Sequence, residues 1–253
     1  IEPDIQTQHI KGSILIQFEV ANDTKKITLD AATLEIEGVS GASVKSYNKV
    51  DSKLVIELFT QTQTQHEIII HYHGNPKKGL LFNSDLNQAH TVYFTDHWMV
   101  CNNKPNDRAT FSLNIILPKG LQSIASGRLI GIEDRGEKVL YKWHQDFETP
   151  SYTYGFVIGS FTKATELIND VKLHYYSSEL NETELKEVFT ETSNILEFFE
   201  QRSGMEYIQN SYSQILIGNN YQEMSGLSVL SESYPTYVFK DSSEIHLTSH
   251  ELA

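Results

Sequence analysis

Short runs of alternating apolar and polar residues dominate the first two thirds of the chain. Leu34-Glu35-Ile36-Glu37 alternates strictly, and Leu54-Val55-Ile56-Glu57-Leu58 does so in part. Successive side chains of an extended strand point to opposite faces, so such runs predict strands. Further strands are predicted at residues 14–20, 26–30, 67–73 and 111–117, the last ending at Pro118, which cannot donate to a ladder. Asn22-Asp23, Gly38, Gly41, Gly74-Asn75-Pro76 and Gly120 punctuate these runs as turn signals. No helical period intervenes, which predicts a mostly β, antiparallel domain built as a sandwich or a curved, saddle-like sheet.

The texture changes near residue 165. Residues 171–176 read as a strand. Asn181 then stands three positions before Glu184, the spacing of a capping box. Leu185, Val188, Phe189, Ile195, Leu196 and Phe199 follow at helical spacing, and Gly204 is a natural stop. A strand at 213–217, an extended piece at 234–239 and a helix starting near residues 243–244 and running into His250 complete the pattern. Of two sequons, Asn22-Asp23-Thr24 and Asn181-Glu182-Thr183, the second is better explained as a helix cap.

Composition narrows the classes. The 253 residues, 39% hydrophobic and 11% aromatic, suffice for a sizeable core and for more than one domain. A net charge of −13 argues against nucleic acid, whose phosphates need Lys/Arg stripes. Cys101 is the only cysteine, so no internal disulfide exists. No apolar run is long enough for a membrane span, and a soluble protein is expected. The chain opens on Ile1 rather than Met, which fits removal of a preceding segment and leaves the compartment, cytoplasmic or periplasmic, open.

The chemistry concentrates in His250-Glu251-Leu252-Ala253, which reads as the first half of an H-E-x-x-H zinc helix. In that motif two His one turn apart bind the metal, and the Glu between them is the general base. His71 and His73 share one strand face but have no identifiable third ligand. His90, His97 and Cys101 read as core or surface residues.

Several segments together resemble the zinc aminopeptidases of the aminopeptidase N family, the gluzincins. Ile10-Lys11-Gly12-Ser13-Ile14 is similar to the family's first strand. Cys101 to Phe111 is similar to its P-C-x-D-x-P-x-x-K-A-x-F segment. Trp143 to Phe161, with Pro150-Ser151-Tyr152 and Val157-Ile158-Gly159-Ser160-Phe161, is similar to the piece that closes its N-terminal domain. Asn220-Tyr221-Gln222-Glu223-Met224-Ser225-Gly226-Leu227 occupies the place of its G-x-M-E-N-x-G-L exopeptidase loop, with departures at Asn220, Gln222 and Met224.

The resemblance implies a β N-terminal domain over residues 1–162 and, over 163–253, the incomplete start of an α/β thermolysin-like catalytic domain. It implies a zinc-dependent aminopeptidase acting on peptides with a free N-terminus. His250 would be the first zinc ligand and Glu251 the catalytic base. Glu223 would hold the substrate ammonium, and the backbone of Asn220, Tyr221 and Gln222 would line the substrate. It places the second His at the position after Ala253 and a Glu ligand further on, neither among these residues. With one His where three protein ligands are needed, these residues alone are expected to be inactive. The family's substrate-binding Gln of the N-terminal domain has no clear counterpart. The alternative is a binding or scaffold module that kept the fold and lost catalysis. A free-standing carbohydrate-type sandwich leaves residues 165–253 unexplained. Neither oligomeric state nor the preferred N-terminal residue is legible.

Overall fold

The computed structural model describes all residues except 22, 60–64 and 242–244, so the first sequon and the start of the last predicted helix lie outside the described residues. Up to residue 159 the described strands form antiparallel sheets. One has the order Glu2–Asp4, His9–Glu19, Gln65–Gly74, Glu35–Ser40. Lys26–Asp30, Lys53–Leu58 and Val44–Val50 form a second, and Arg108–Pro118, Lys138–Pro150 and Arg128–Arg135 a third. A fourth runs Gln122–Ala125, Phe156–Gly159, Gln88–Val92, Gly79–Asn83. The mostly β, antiparallel architecture is thus the one the alternation predicts. Its inward residues, including Ile10, Leu54, Ile56, Ile68, Ile70, Ile115 and Phe156, are buried in one apolar cluster. Gly12 pairs with Tyr72 across two strands, and a Cβ at Gly12 would lie 2.6 Å from the buried Tyr72 ring. The missing side chain is what lets the ring lie flat there.

Residues 162–230 build a five-stranded mixed sheet in the order Thr162–Ile168, Val171–Ser177, Ser211–Leu216, Leu227–Leu230, Gln222–Met224. The parallel step from Val171–Ser177 to Ser211–Leu216 requires a crossover, supplied by helices α1 (Glu182–Val188) and α2 (Thr192–Ser203). The single helical run expected from Leu185 to Phe199 is therefore broken between Val188 and Thr192. Gly204 stops α2 at φ 69°, where a residue without Cβ is favoured. Leu173, Tyr175, Leu185, Phe189, Leu196 and Tyr234 fill a second apolar cluster between this sheet and its helices.

One expectation is overturned. Residues 234–239 are not extended but form helix α3 (Tyr234–Lys240). Their aromatic and β-branched content favours a strand locally. The fold overrides it, because Tyr234 and Val238 lie one turn apart and both enter the second cluster. Pro235 in the first turn costs no hydrogen bond. The last helix, α4, is His246–Leu252.

Candidate functional site

Glu223 lies at the middle of the edge strand Gln222–Met224, opposite Ser228 of Leu227–Leu230. Its neighbours Gln222 and Met224 are buried, so strand alternation turns Glu223 outward. On α4, consecutive residues differ by about 100° around the axis. His250 is exposed while Glu251 turns inward and is only 5% exposed. One nitrogen of His250 and one oxygen from each of Glu223 and Glu251 lie within 4.8 Å of one another, the only such metal-capable group among the described residues.

Buried in low dielectric, the Glu251 carboxyl is pushed up to about 7, first by desolvation and second by the Glu223 carboxylate. Its Oε2 is buried and has no hydrogen-bond partner. Buried polar atoms are rarely left so, and a proton or a cation would satisfy this one. A buried carboxylate oxygen without a partner beside an exposed imidazole is a setting that suits a cation such as zinc.

The site is held from beneath. The Tyr212 hydroxyl, deep in the sheet, donates to the Glu251 carbonyl at 3.0 Å. The hydroxyls of Tyr234 and Thr248 bond each other, tying α3 to α4. The edge strand is tied to the N-terminal sheets. Gln222 Oε1 accepts from the Tyr93 N–H, and Gln222 Nε2 donates to the Glu223 carbonyl at 3.0 Å. Thr91 Oγ1 donates to Met224 Sδ at 3.4 Å, and Ser225 N–H to the Thr153 carbonyl at 2.9 Å.

The structure thus brings together three of the residues predicted for the site: His250, Glu251 and Glu223. Tyr221 is half-buried beside the edge strand, and Gln222 turns its side chain inward. Asn220 adjoins the buried imidazole of His90, whose pKa desolvation lowers to about 4. His71 and His73 stay outside the metal-capable group, with His73 Nε2 3.8 Å from carboxylates of Glu35 and Glu37. Cys101 is buried, its thiol pushed up to about 12 by desolvation. Sequence reasoning missed Tyr93. Its pKa is raised by desolvation and then by Glu223 and Glu251, which places the phenol in the field of the site. Nothing in its sequence context signals that role.

The chain is similar in sequence and fold to known proteins. Over 161 residues, 59% of this chain, it is 24% identical to probable aminopeptidase 1 of Sulfurisphaera tokodaii, a match spanning 20% of that protein. It is also 25% identical over 186 residues to transcription initiation factor TFIID subunit 2 of Caenorhabditis elegans, a match spanning 17% of that protein. An M1 zinc metallopeptidase mutant from Deinococcus radiodurans superposes with a TM-score of 0.80 over 100% of this chain and 61% of its own, at 17% identity. The same score is found for a two-domain M1 zinc metallopeptidase mutant bound to L-arginine, over 99% of this chain and 61% of its own, at 17% identity. The chain therefore spans a fifth or less of the curated relatives and about three fifths of the solved structures. Residues 1–153 match the peptidase M1 N-terminal domain, and the chain belongs to that family.

Proposed function

We propose that these residues are the N-terminal portion of a zinc-dependent aminopeptidase, with residues 163–253 opening its catalytic domain. The observation that carries this reading is the convergence of the sheet-edge Glu223 with His250 and Glu251 of α4 within 4.8 Å. Zinc, held by His250 together with ligands beyond these residues, would supply the Lewis acidity that lowers the pKa of a water. Glu251 takes the proton of the attacking water and returns it to the leaving amine nitrogen. Glu223 accepts the substrate's free α-ammonium in a charge-assisted contact and so counts one residue from the N-terminus. A net charge of −13 adds a weak pull on such a cation.

In the full-length protein, Glu251→Gln should keep zinc and lower turnover on the order of 10²–10⁴-fold, because the base is lost and the ligands stay. His250→Ala should lose both zinc and turnover. Zinc analysis beside an aminoacyl-arylamide assay reads both, and near-native turnover in Glu251→Gln would remove Glu251 from the mechanism.

A second reading, a module that kept the fold and lost catalysis, draws on the likeness to TFIID subunit 2 and on the altered loop at Asn220, Gln222 and Met224. A wild-type full-length protein with neither zinc nor turnover would select it.

A further inference from the structure

We propose that the Tyr93–Phe94 turn is a clamp from the N-terminal sheets that fixes Glu223, with Tyr93 acting as the positioning residue for recognition of the substrate ammonium. This rests on the amine-reading role proposed for Glu223.

Tyr93 and Phe94 are consecutive aromatic residues at φ 42° and 38°. Side chains with a Cβ rarely occupy this left-handed region, and two in succession persist only where the surroundings over-determine them. Those surroundings are visible. The Phe94 carbonyl oxygen sits 2.2 Å from where a Cβ on Gly79 would stand, so that glycine, itself at φ 74°, admits the turn. The His97 N–H closes the turn on the same carbonyl at 3.0 Å.

What the strained turn delivers is a relay to Glu223. The Tyr93 N–H bonds Gln222 Oε1, and Gln222 Nε2 bonds the Glu223 carbonyl. Gln222 is 2% exposed, so water offers its amide little alternative. The Tyr93 hydroxyl donates to the Tyr221 carbonyl at 3.3 Å, two residues before Glu223. Below, Thr91 bonds Met224 and His90 packs on Gly218, where a Cβ would lie 2.9 Å from the ring. The strand Gln88–Val92 and the turn after it therefore grip Gly218 through Met224 at successive points. The edge strand has a single β neighbour, so this grip replaces the missing one. Tyr93 itself remains 50% exposed, with its hydroxyl bonded two residues before Glu223 on the loop that leads into the edge strand.

The test uses the full-length protein. Gln222→Leu removes both relay bonds at similar volume. Gln222→Asn keeps a buried amide but falls one methylene short of the span, and serves if the Leu variant does not fold. Two readouts are taken: kinetics on a matched free and N-acetylated peptide pair, and hydrogen exchange across residues 218–226. The expected result is roughly a tenfold loss of kcat/KM for the free peptide, carried mainly by KM, with faster exchange at residues 222–224. Equal losses on both peptides, or a loss carried only by kcat, would overturn the positioning role. If the wild type cleaves no N-terminally free peptide, the aminopeptidase reading falls, and exchange alone decides the clamp. Unchanged exchange then overturns it, and faster exchange supports it.

Discussion

Helices α1 and α4 are each seven residues long and pack with the same mixed sheet, yet their first turns are held in opposite ways. At α1, Asn181 Oδ1 accepts from the N–H groups of Thr183 and Glu184, at 2.9 and 3.1 Å. The Glu184 carboxylate accepts from the Asn181 N–H at 2.9 Å. Glu182 and Glu184 sit in its first turn, where the helix dipole favours negative charge. At α4, the cap residue Ile245 offers no side-chain oxygen, and no acidic residue stands in the first turn. Its order comes from Tyr212 beneath the Glu251 carbonyl and from the bond between Tyr234 and Thr248. Helix α1, capped by its own residues and buried through Leu185, is a structural strut. A helix stabilised by the sheet carries the candidate chemistry, so perturbing that sheet reaches the site directly.

The largest expected effect removes α1's packing rather than its cap. Leu185 is fully buried, and Leu185→Ala should lower stability by about 2–5 kcal/mol through lost transfer energy and a cavity. Chemical denaturation measures the loss. If the full-length protein is the proposed enzyme, its kcat/KM at low temperature should stay near wild type, because no α1 residue belongs to the converging group. A matching collapse in kcat/KM would erase the distinction between strut and site.

Next comes Glu223, on the opposite side of the comparison. It is exposed and packs little, so Glu223→Ala should barely move stability. The charge-assisted contact proposed for it with the substrate ammonium is worth about 1.5–3 kcal/mol. That converts to roughly a ten- to hundredfold drop in kcat/KM for N-terminally free peptides, with zinc content unchanged. N-acetylated peptides lack the ammonium and should lose little more. Equal losses on both substrates would give Glu223 a different task.

These contrasts follow what was readable in the chain. The strands Lys53–Leu58 and Gln65–Gly74 alternate because one face is buried and the other wet, so their pattern exposes them. Arg128–Arg135 is wet on both faces, with Ile130 and Ile132 exposed, and Gln88–Val92 is buried throughout, polar residues included. Neither leaves a period to find. Helix α3 was hidden by strand-favouring residues whose helical state is imposed by the second cluster. His250, Glu251 and Glu223 could be picked out because motif order along the chain carries them. The bond from Tyr93 to Gln222 joins positions 129 residues apart and leaves no trace in local spacing.

Tyr212→Phe tests the support of α4 with a smaller change. It deletes one hydroxyl and strands the Glu251 carbonyl that accepted it across 39 residues. An unsatisfied buried acceptor costs about 1–3 kcal/mol. Both stability and kcat should fall in this variant, whereas Leu185→Ala moves stability alone. A fall in melting temperature with an unchanged kcat would mean that α4 holds the proposed site without this bond to the sheet.

The smallest expected effect belongs to the cap itself. Asn181→Ala removes the acceptor for two backbone N–H groups and leaves Glu184 with half of its reciprocal pair. Loss of such a cap costs about 1 kcal/mol. For a domain of this size that shifts the melting temperature by roughly 2–4 °C. Asn181→Asp should recover most of the loss, because a carboxylate accepts the same two bonds and adds favourable charge at the helix start. Asn181→Gly should cost less than Ala, since glycine leaves the first turn open to water. Activity should be unaltered in all three. Calorimetry on the series fixes the ranking, and a loss in Ala that Asp does not restore would show that α1 is held by its buried face rather than by its cap. The same measurement would then weaken the contrast with α4, leaving both helices dependent on the sheet they cover.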